Sequence, residues 1–343
     1  MGGPRTGYDR PMVIPPAIAA LPRFGLIDRP SPLTPLLRFS AALGGGAEIW
    51  IKREDLLPLA FGGNKLRNLE FLVGAALADG ADTLITSGRR WSNHCRLTAA
   101  AGARAGLAVH LVLTGPPEPA GAEGPNQRLD ELLGAVVHVT ATDERVERAA
   151  LVEWIAAEVR DAGGKPFVVG VGGTGPVGAS GQVLAGLELA EQLDTAGVGA
   201  AVVVLPSATG GTHAGVLTGL ALAAPPLRGV VGIAVAAPSA ELRPTIEAIL
   251  DGLAPLVAGR VPSATVVLED DQLGAGYGHP TAASDEATRL LARTEGILVD
   301  PIYTAKALAG LIARVRDGRL TGPVVFWHAG GTPGIFGRLP ASG

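Results

Sequence analysis

Short runs of β-branched residues alternate with longer Ala- and Leu-rich segments along almost the whole chain, and this alternation restricts the fold more than any other feature. Strands are expected at residues 48–51, 83–86, 109–113, 136–139, 167–169, 201–205, 230–236 and 323–327. Helices are expected at 65–79, 93–106, 126–134, 144–162, 179–195, 212–224, 239–258, 281–295 and 304–317. Such alternation builds βαβ units and mainly parallel sheets. The 343 residues suit about two domains, and a 47% hydrophobic content supplies their cores. The Pro-rich residues around 1–45 are expected to wrap the surface, and Gly115–Gly124 reads as a loop.

Composition narrows the function. A formal charge of −4 argues against nucleic acid as a partner. No run of 18 apolar residues and no secretion signal are seen, so no membrane partner is expected. One cysteine, Cys95, excludes an internal disulfide and fits a reducing cytoplasm. The six histidines show no ligand spacing with it, so no metal site is expected.

The chain has four lysines among its 28 Lys and Arg residues, and one follows Phe61-Gly62-Gly63-Asn64 where a loop becomes a helix. Arginine stays protonated and cannot replace an amine nucleophile. Lys65 is therefore a candidate Schiff-base residue, the alternative being a surface lysine in a first helical turn. A second signal is Ala208-Thr209-Gly210-Gly211-Thr212-His213, which follows a buried-looking strand and opens an apolar helix. Free N–H groups and the helix dipole at such a start hold phosphate; a plain strand–helix turn is the alternative. A third is Thr86-Ser87-Gly88-Arg89-Arg90-Trp91-Ser92-Asn93-His94, where Ser92 or Asn93 caps a helix or faces an anion. Val299-Asp300-Pro301-Ile302-Tyr303-Thr304 and Trp327-His328-Ala329-Gly330-Gly331 occupy similar strand-end positions, where open α/β sheets bind ligands. A lysine, a phosphate cradle and polar strand ends together suggest pyridoxal 5'-phosphate.

From about Leu33 to Arg338 the chain resembles the D-cysteine desulfhydrase / 1-aminocyclopropane-1-carboxylate deaminase group of fold-type-II pyridoxal-phosphate enzymes, in the tryptophan synthase β superfamily. Lys52-Arg53-Glu54-Asp55, Phe61-Gly62-Gly63-Asn64-Lys65, Ser92-Asn93-His94, Gly210-Gly211-Thr212, Gly276-Tyr277-Gly278 and the run from Ala292 to Tyr303 carry the resemblance. It implies two open twisted, mainly parallel α/β domains with the cofactor in the cleft between them. Residues 1–67 and 178–343 would form the larger and 68–177 the smaller. It implies that Lys65 bonds the cofactor and moves protons at the substrate Cα. Asn93 would meet the cofactor's 3-hydroxyl and, with Ser92 and His94, the substrate. Thr209, Gly210, Gly211 and Thr212 would hold the phosphate, with Asn64 assisting. Tyr277 and Tyr303 would line the substrate side, and Thr304 would lie near the pyridine nitrogen. A homodimer is implied as well.

The departures concern substrate. A Gly-rich, Gln-containing segment usual in the family reads Arg89-Arg90-Trp91 here, the threonine after the last-strand histidine is Ala329, and a common tyrosine is Gln182. Ring-opening deaminases usually carry glutamate where Thr304 stands. The expected activity is α,β-elimination of a small, D-cysteine-like amino acid to 2-oxo acid, ammonia and thiol or sulfide. The alternatives are a specialised C–S lyase, a β-replacement enzyme or a cyclopropane-amino-acid deaminase with a different or anionic substrate, and a non-catalytic phosphate-ligand-binding protein. The short loop should keep Arg89, Arg90 and Trp91 near the cleft, with at least one arginine reading an anionic group of the substrate.

Overall fold

The computed structural model describes residues 13–115, 123–142, 144–223, 229–260 and 266–337. The chain opens with α1 (Pro16–Ala19), β1 (Leu33–Pro35), α2 (Leu37–Ala42) and β2 (Ala47–Arg53), then crosses through α3 (Lys65–Ala78). Next come β3 (Thr83–Arg89), α4 (Asn93–Ala105), β4 (Ala108–Thr114), α5 (Pro125–Leu132), β5 (Val136–Thr140), α6 (Arg145–Asp161) and β6 (Pro166–Val168). The chain continues as α7 (Pro176–Thr195), β7 (Val202–Ser207), α8 (Gly211–Leu222), β8 (Gly229–Ala234), α9 (Ser239–Leu253) and β9 (Val267–Glu269). It closes with α10 (Ala282–Glu295), α11 (Thr304–Arg316) and β10 (Gly322–His328).

Two sheets result. One has six strands in the order β1-β2-β10-β7-β8-β9 and the other four in the order β5-β4-β3-β6. Every pairing is parallel except β1 on β2, at an edge. Side chains alternate across each strand, so both faces of a covered sheet are apolar. Val203 and Leu205 of β7 pack with residues of α7, α8 and α9, whereas Val204 packs with those of α10 and α11. Leu84 and Leu111 face α3 and α4, while Ile85 and Val112 face α6.

Three expectations change. Three-residue strands β1 and β9 are too short to show a period in sequence. β3 runs to Arg89 rather than ending at residue 86, because Ser87-Gly88-Arg89 pairs with the end of β4 despite lacking β-branched side chains. Residues 1–12 lie outside the described residues, and residues 13–45 do more than wrap the surface: Ile18, Leu36 and Phe39 are core residues.

α7 and α8 cross with backbones nearly touching. A Cβ on Gly186 would lie 2.7 Å from the Val216 carbonyl oxygen, and one on Gly219 would lie 2.2 Å from that of Val183. At the base of α3, Lys52, Glu54, Arg67 and Glu188 form a largely buried ion network. Arg67 donates to Glu54 at 2.6 Å and to both oxygens of Glu188 at 2.9 Å. Lys52 pairs with Glu188 and donates to the Ser31 carbonyl at 2.8 Å. Burial alone would raise the Glu188 pKa, but Arg67 and Lys52 outweigh it and hold the carboxyl below its usual range. A depressed carboxylate pKa means stabilisation that is complete at neutral pH and lost as pH falls through the folded value. Glu188→Gln leaves Lys52 without its carboxylate and Arg67 with Glu54 alone, an uncompensated buried charge that should cost about 3–5 kcal/mol, read by denaturant unfolding at pH 7. A loss under about 1 kcal/mol would show the network to be dispensable.

Candidate active site

The turn before α3 is strained. Ala60, Phe61, Gly62 and Gly63 have successive φ values of 44°, 66°, 64° and 130°. The two non-glycine residues in this region are conformationally costly and need outside support. Gly62 has no alternative, since a Cβ there would sit 2.3 Å from the Asp55 carbonyl oxygen. Arg96, fully buried on α4, donates to the carbonyls of Ala60 and Gly62. From the other side, the Asn64 backbone N–H donates to the Ala329 carbonyl at 3.0 Å. The turn delivers Lys65 as the first residue of α3, half-buried, its Nζ donating to the Gly172 carbonyl at 2.8 Å. Desolvation lowers the amine pKa to about 8, and a cation in a first helical turn is disfavoured in the same direction.

At the end of β7 the chain turns through Gly210, φ +84°, into α8. No side chain caps α8, so its first N–H groups are available to an anion. Asn64 links this turn to the lysine by donating to Thr212 Oγ1 at 2.8 Å. Gln182, fully buried on α7, donates to the Asn64 carbonyl at 2.8 Å and to Asn68 at 2.6 Å.

Across the cleft, Ser92 caps α4, its Oγ accepting from Cys95 N at 3.2 Å. Asn126 of α5 donates to Asn93 Oδ1 at 2.9 Å and to the Trp91 carbonyl at 2.8 Å, fixing the Asn93 amide. Thr86 gives its hydroxyl proton to the Val169 carbonyl at 2.8 Å, so His94 Nε2 must donate to Thr86 Oγ1 across 3.0 Å. His94 Nδ1 is then an unprotonated, buried acceptor without a partner. Burial, then the Lys65 charge, lowers the His94 pKa to about 3. His213 is likewise held near 3 by burial, then by Arg243. Both are neutral at physiological pH.

The Tyr277 and Tyr303 hydroxyls hydrogen-bond each other. Burial pushes Tyr277 up to about 12 and Tyr303 well above its ordinary value, so both keep their protons. Lys65, Asn64, Arg89, Ser92, Asn93, His94, Thr209, Gly210, Thr212, Tyr277 and Tyr303 all line one cleft. Gly211 is buried in the first turn of α8, beside that lining.

Three expected site residues lie elsewhere. Thr304 is fully buried and gives its hydroxyl to Asp300 at 2.6 Å, at the start of α11, so it does not line the cleft. Trp91 backs Tyr277 edge-on, with ring centroids 5.6 Å apart, and faces a second depression shared with Arg90 and Asn126. Arg90 is buried on that side because alternation past Arg89 turns it away from the first cleft. Arg148 of α6 lines the cleft with no warning in sequence, since it sits in an exposed helix turn beside Arg145. Arg96 and Asn126 were equally unmarked, because their partners are distant in the chain.

An uncapped helix start, an amine of lowered pKa and a cleft with a buried unpartnered acceptor fit an aromatic aldehyde phosphate. Residues 26–330 match the family profile described as pyridoxal-phosphate dependent enzyme. The chain belongs to that family. A D-cysteine desulfhydrase of Salmonella newport (strain SL254) is 40% identical over 328 residues, covering 94% of this chain and 98% of the relative. One from Salmonella typhi matches at the same identity and coverage. The crystal structure of an ACC deaminase homologue superposes with a TM-score of 0.86 at 35% identity, covering 93% of this chain and 95% of that one. A threonine deaminase from T.th., 22% identical with a TM-score of 0.63, shares the fold. The chain is thus a fold-type-II, pyridoxal-phosphate-dependent lyase or deaminase. No described helix is long and apolar enough to cross a membrane. Among the described residues no cluster could hold a metal ion.

In the cofactor-free protein the Lys65 amine should titrate with a midpoint near pH 8, neutral above and charged below. Site-resolved amine labelling against pH measures this. A midpoint in the ordinary lysine range of about 10.4 would show the amine to be solvated.

Proposed function

We propose that the protein is a D-cysteine desulfhydrase-type lyase that eliminates the β-substituent of a small amino acid, releasing 2-oxo acid, ammonia and a thiol or sulfide. The carrying observation is a neutral-prone lysine amine facing, across one cleft, a protonated tyrosine pair. Bound pyridoxal phosphate supplies the electron sink for charge developed at the substrate Cα. The α8 turn at Thr209–Thr212 would hold its phosphate, Lys65 would tether it, and Asn93 would bond its ring hydroxyl. Ser92 and the start of α4 bind the substrate carboxylate, using free N–H groups and the helix dipole. Lys65 Nζ takes the Cα proton, a role its lowered pKa suits. Tyr303 and Tyr277, both protonated, deliver a proton to the departing sulfur.

We further infer that residues 1–67 with 178–343 and residues 68–177 act as two units closing on substrate. The four-stranded sheet falls wholly within the second range, which supports this division. Contraction in small-angle scattering on adding substrate tests closure. A cytoplasmic homodimer is our reading of the assembly, dimers being the commonest closed oligomer. A monomeric mass by light scattering would overturn it.

Lys65→Ala should remove the visible absorption of the lysine–cofactor bond and lower D-cysteine turnover by at least about 10³-fold. Tyr303→Phe should keep the absorption and lower turnover by about 10²-fold, the usual worth of a positioned acid. Pyruvate release and absorbance read both. An unchanged rate in either variant would remove that residue from the mechanism.

A further inference from the structure

Lys306 is fully buried in the first turn of α11, and among the described residues no carboxylate pairs with it. Lys52 is as deeply buried, but it has Glu188. A lone cation at this place is unfavourable on two counts. Burial strips its water and lowers its pKa, and a helix start is the positive end of the macrodipole. Its hydrogen-bond partners are two main-chain carbonyls of one loop: Nζ donates to Leu273 at 2.8 Å and to Gly276 at 3.0 Å. Neither stability nor the chemistry above calls for an ammonium there, so the loop it holds is where its use lies.

That loop joins β9 to α10 and carries Tyr277. The two carbonyls open consecutive turns: Leu273 accepts from Gly276 N at 3.1 Å, and Gly276 accepts from His279 N at 3.4 Å. Tyr277 is the first residue inside the second turn. Gly274, Gly276 and Gly278 have φ values of 60°, 111° and 86°, so the sequence around Tyr277 is conformationally permissive and does not stiffen itself. Outside contacts do so. The Trp91 ring meets Tyr277 edge-on, and a Cβ on Gly278 would lie 2.5 Å from Trp91. The Tyr277 hydroxyl meets that of Tyr303, the residue before α11, whose own N–H donates to Asp300 Oδ1 at 2.7 Å. Tyr303 and Lys306 stand three residues apart, on one side of the helix start. The start of α11 thus grips Tyr277 twice, at the hydroxyl through Tyr303 and at the main chain through Lys306.

We propose that Lys306 is a positioning residue that holds the Tyr277–Tyr303 pair in register with the departing β-substituent, and so sets how poor a leaving group the enzyme can expel. This rests on the β-elimination reading and deepens it. The Cβ–sulfur bond breaks with its electron pair leaving on sulfur. A tyrosine hydroxyl gives that sulfur a proton, and the proton that Lys65 took from Cα restores the tyrosine. The three-carbon remainder takes up water and leaves as pyruvate and ammonium. Chloride in place of sulfur departs with its electron pair and needs no proton, so its loss does not depend on where the tyrosines stand.

The test is Lys306→Met in the holoenzyme. Methionine fills the space and removes both bonds, while the Leu273 and Gly276 carbonyls keep their turn donors, so no buried acceptor is orphaned. Lys306→Gln is measured alongside, under the same criteria, so that the comparison survives if the Met protein does not fold. Cofactor absorbance should match the wild type. The kcat for pyruvate release from D-cysteine should fall by about tenfold or more, and that from 3-chloro-D-alanine by about twofold or less, as expected for a displaced acid. In a Tyr277→Phe background, Lys306→Met should cost about twofold or less on D-cysteine, because the group it positions is gone. Hydrogen exchange, read by mass spectrometry, should quicken in residues 270–281 and not in α10. Equal losses on the two substrates, no loss on D-cysteine, losses that multiply in the Tyr277→Phe background, or unchanged exchange in the loop each overturn the proposal. The underlying reading is judged separately. If Tyr277→Phe and Tyr303→Phe both leave the D-cysteine to 3-chloro-D-alanine ratio at its wild-type value, the tyrosines are not the acid, and the proposal falls with that reading. If they shift the ratio and neither Lys306 variant does, the proposal alone is overturned.

Discussion

The ion network of Lys52, Glu54, Arg67 and Glu188 ties together parts of the chain that the site needs in fixed relation. Lys52 stands near the end of β2, Glu54 just beyond it, Arg67 in the first turn of α3 and Glu188 in the middle of α7. Two cations and two carboxylates cancel, so the cluster tolerates burial that none of its members would survive alone. The helix that begins at Lys65 is therefore anchored within its first turn, two residues after the lysine. The strained residues Ala60–Gly63 fall between Glu54 and Arg67, and the network closes that loop from both ends. Arg96 braces it from α4, so the lysine's position is set by charges it never touches.

The alternation of β-branched and Ala/Leu-rich runs made nearly all of the architecture legible, because a fully covered parallel strand must be apolar on both faces. What it hid was the short and the polar. β1 and β9 have three residues each, too few for a period. The end of β3 consists of Ser87-Gly88-Arg89, a sequence with no strand propensity that is carried by pairing with β4.

Candidate site residues were legible where a local motif fixes the backbone, as with Gly62-Gly63-Asn64-Lys65 and Gly210-Gly211-Thr212. They were not legible where direction matters. Arg89 and Arg90 are adjacent in sequence, yet strand geometry sends them into different depressions. Thr304 looked available until Asp300, four residues earlier, engaged its hydroxyl. Arg148 and Asn126 come from helices whose sequence reads as ordinary surface, yet Arg148 lines the cleft and Asn126 bonds Asn93 from the second depression.

β10 lies between β2 and β7 in the six-stranded sheet, and its exit loop supplies the Ala329 carbonyl that receives the Asn64 backbone N–H. Until that strand is made, β2 and β7 each present an open edge, although both were synthesised long before. The nascent protein must therefore carry one open strand edge from β2 onward and a second once β7 is made. The order of the chain thus makes its last strand the keystone: no cofactor pocket exists on a partly made chain, and a shortfall in chaperone protection would be felt as aggregation before it was felt as lost catalysis.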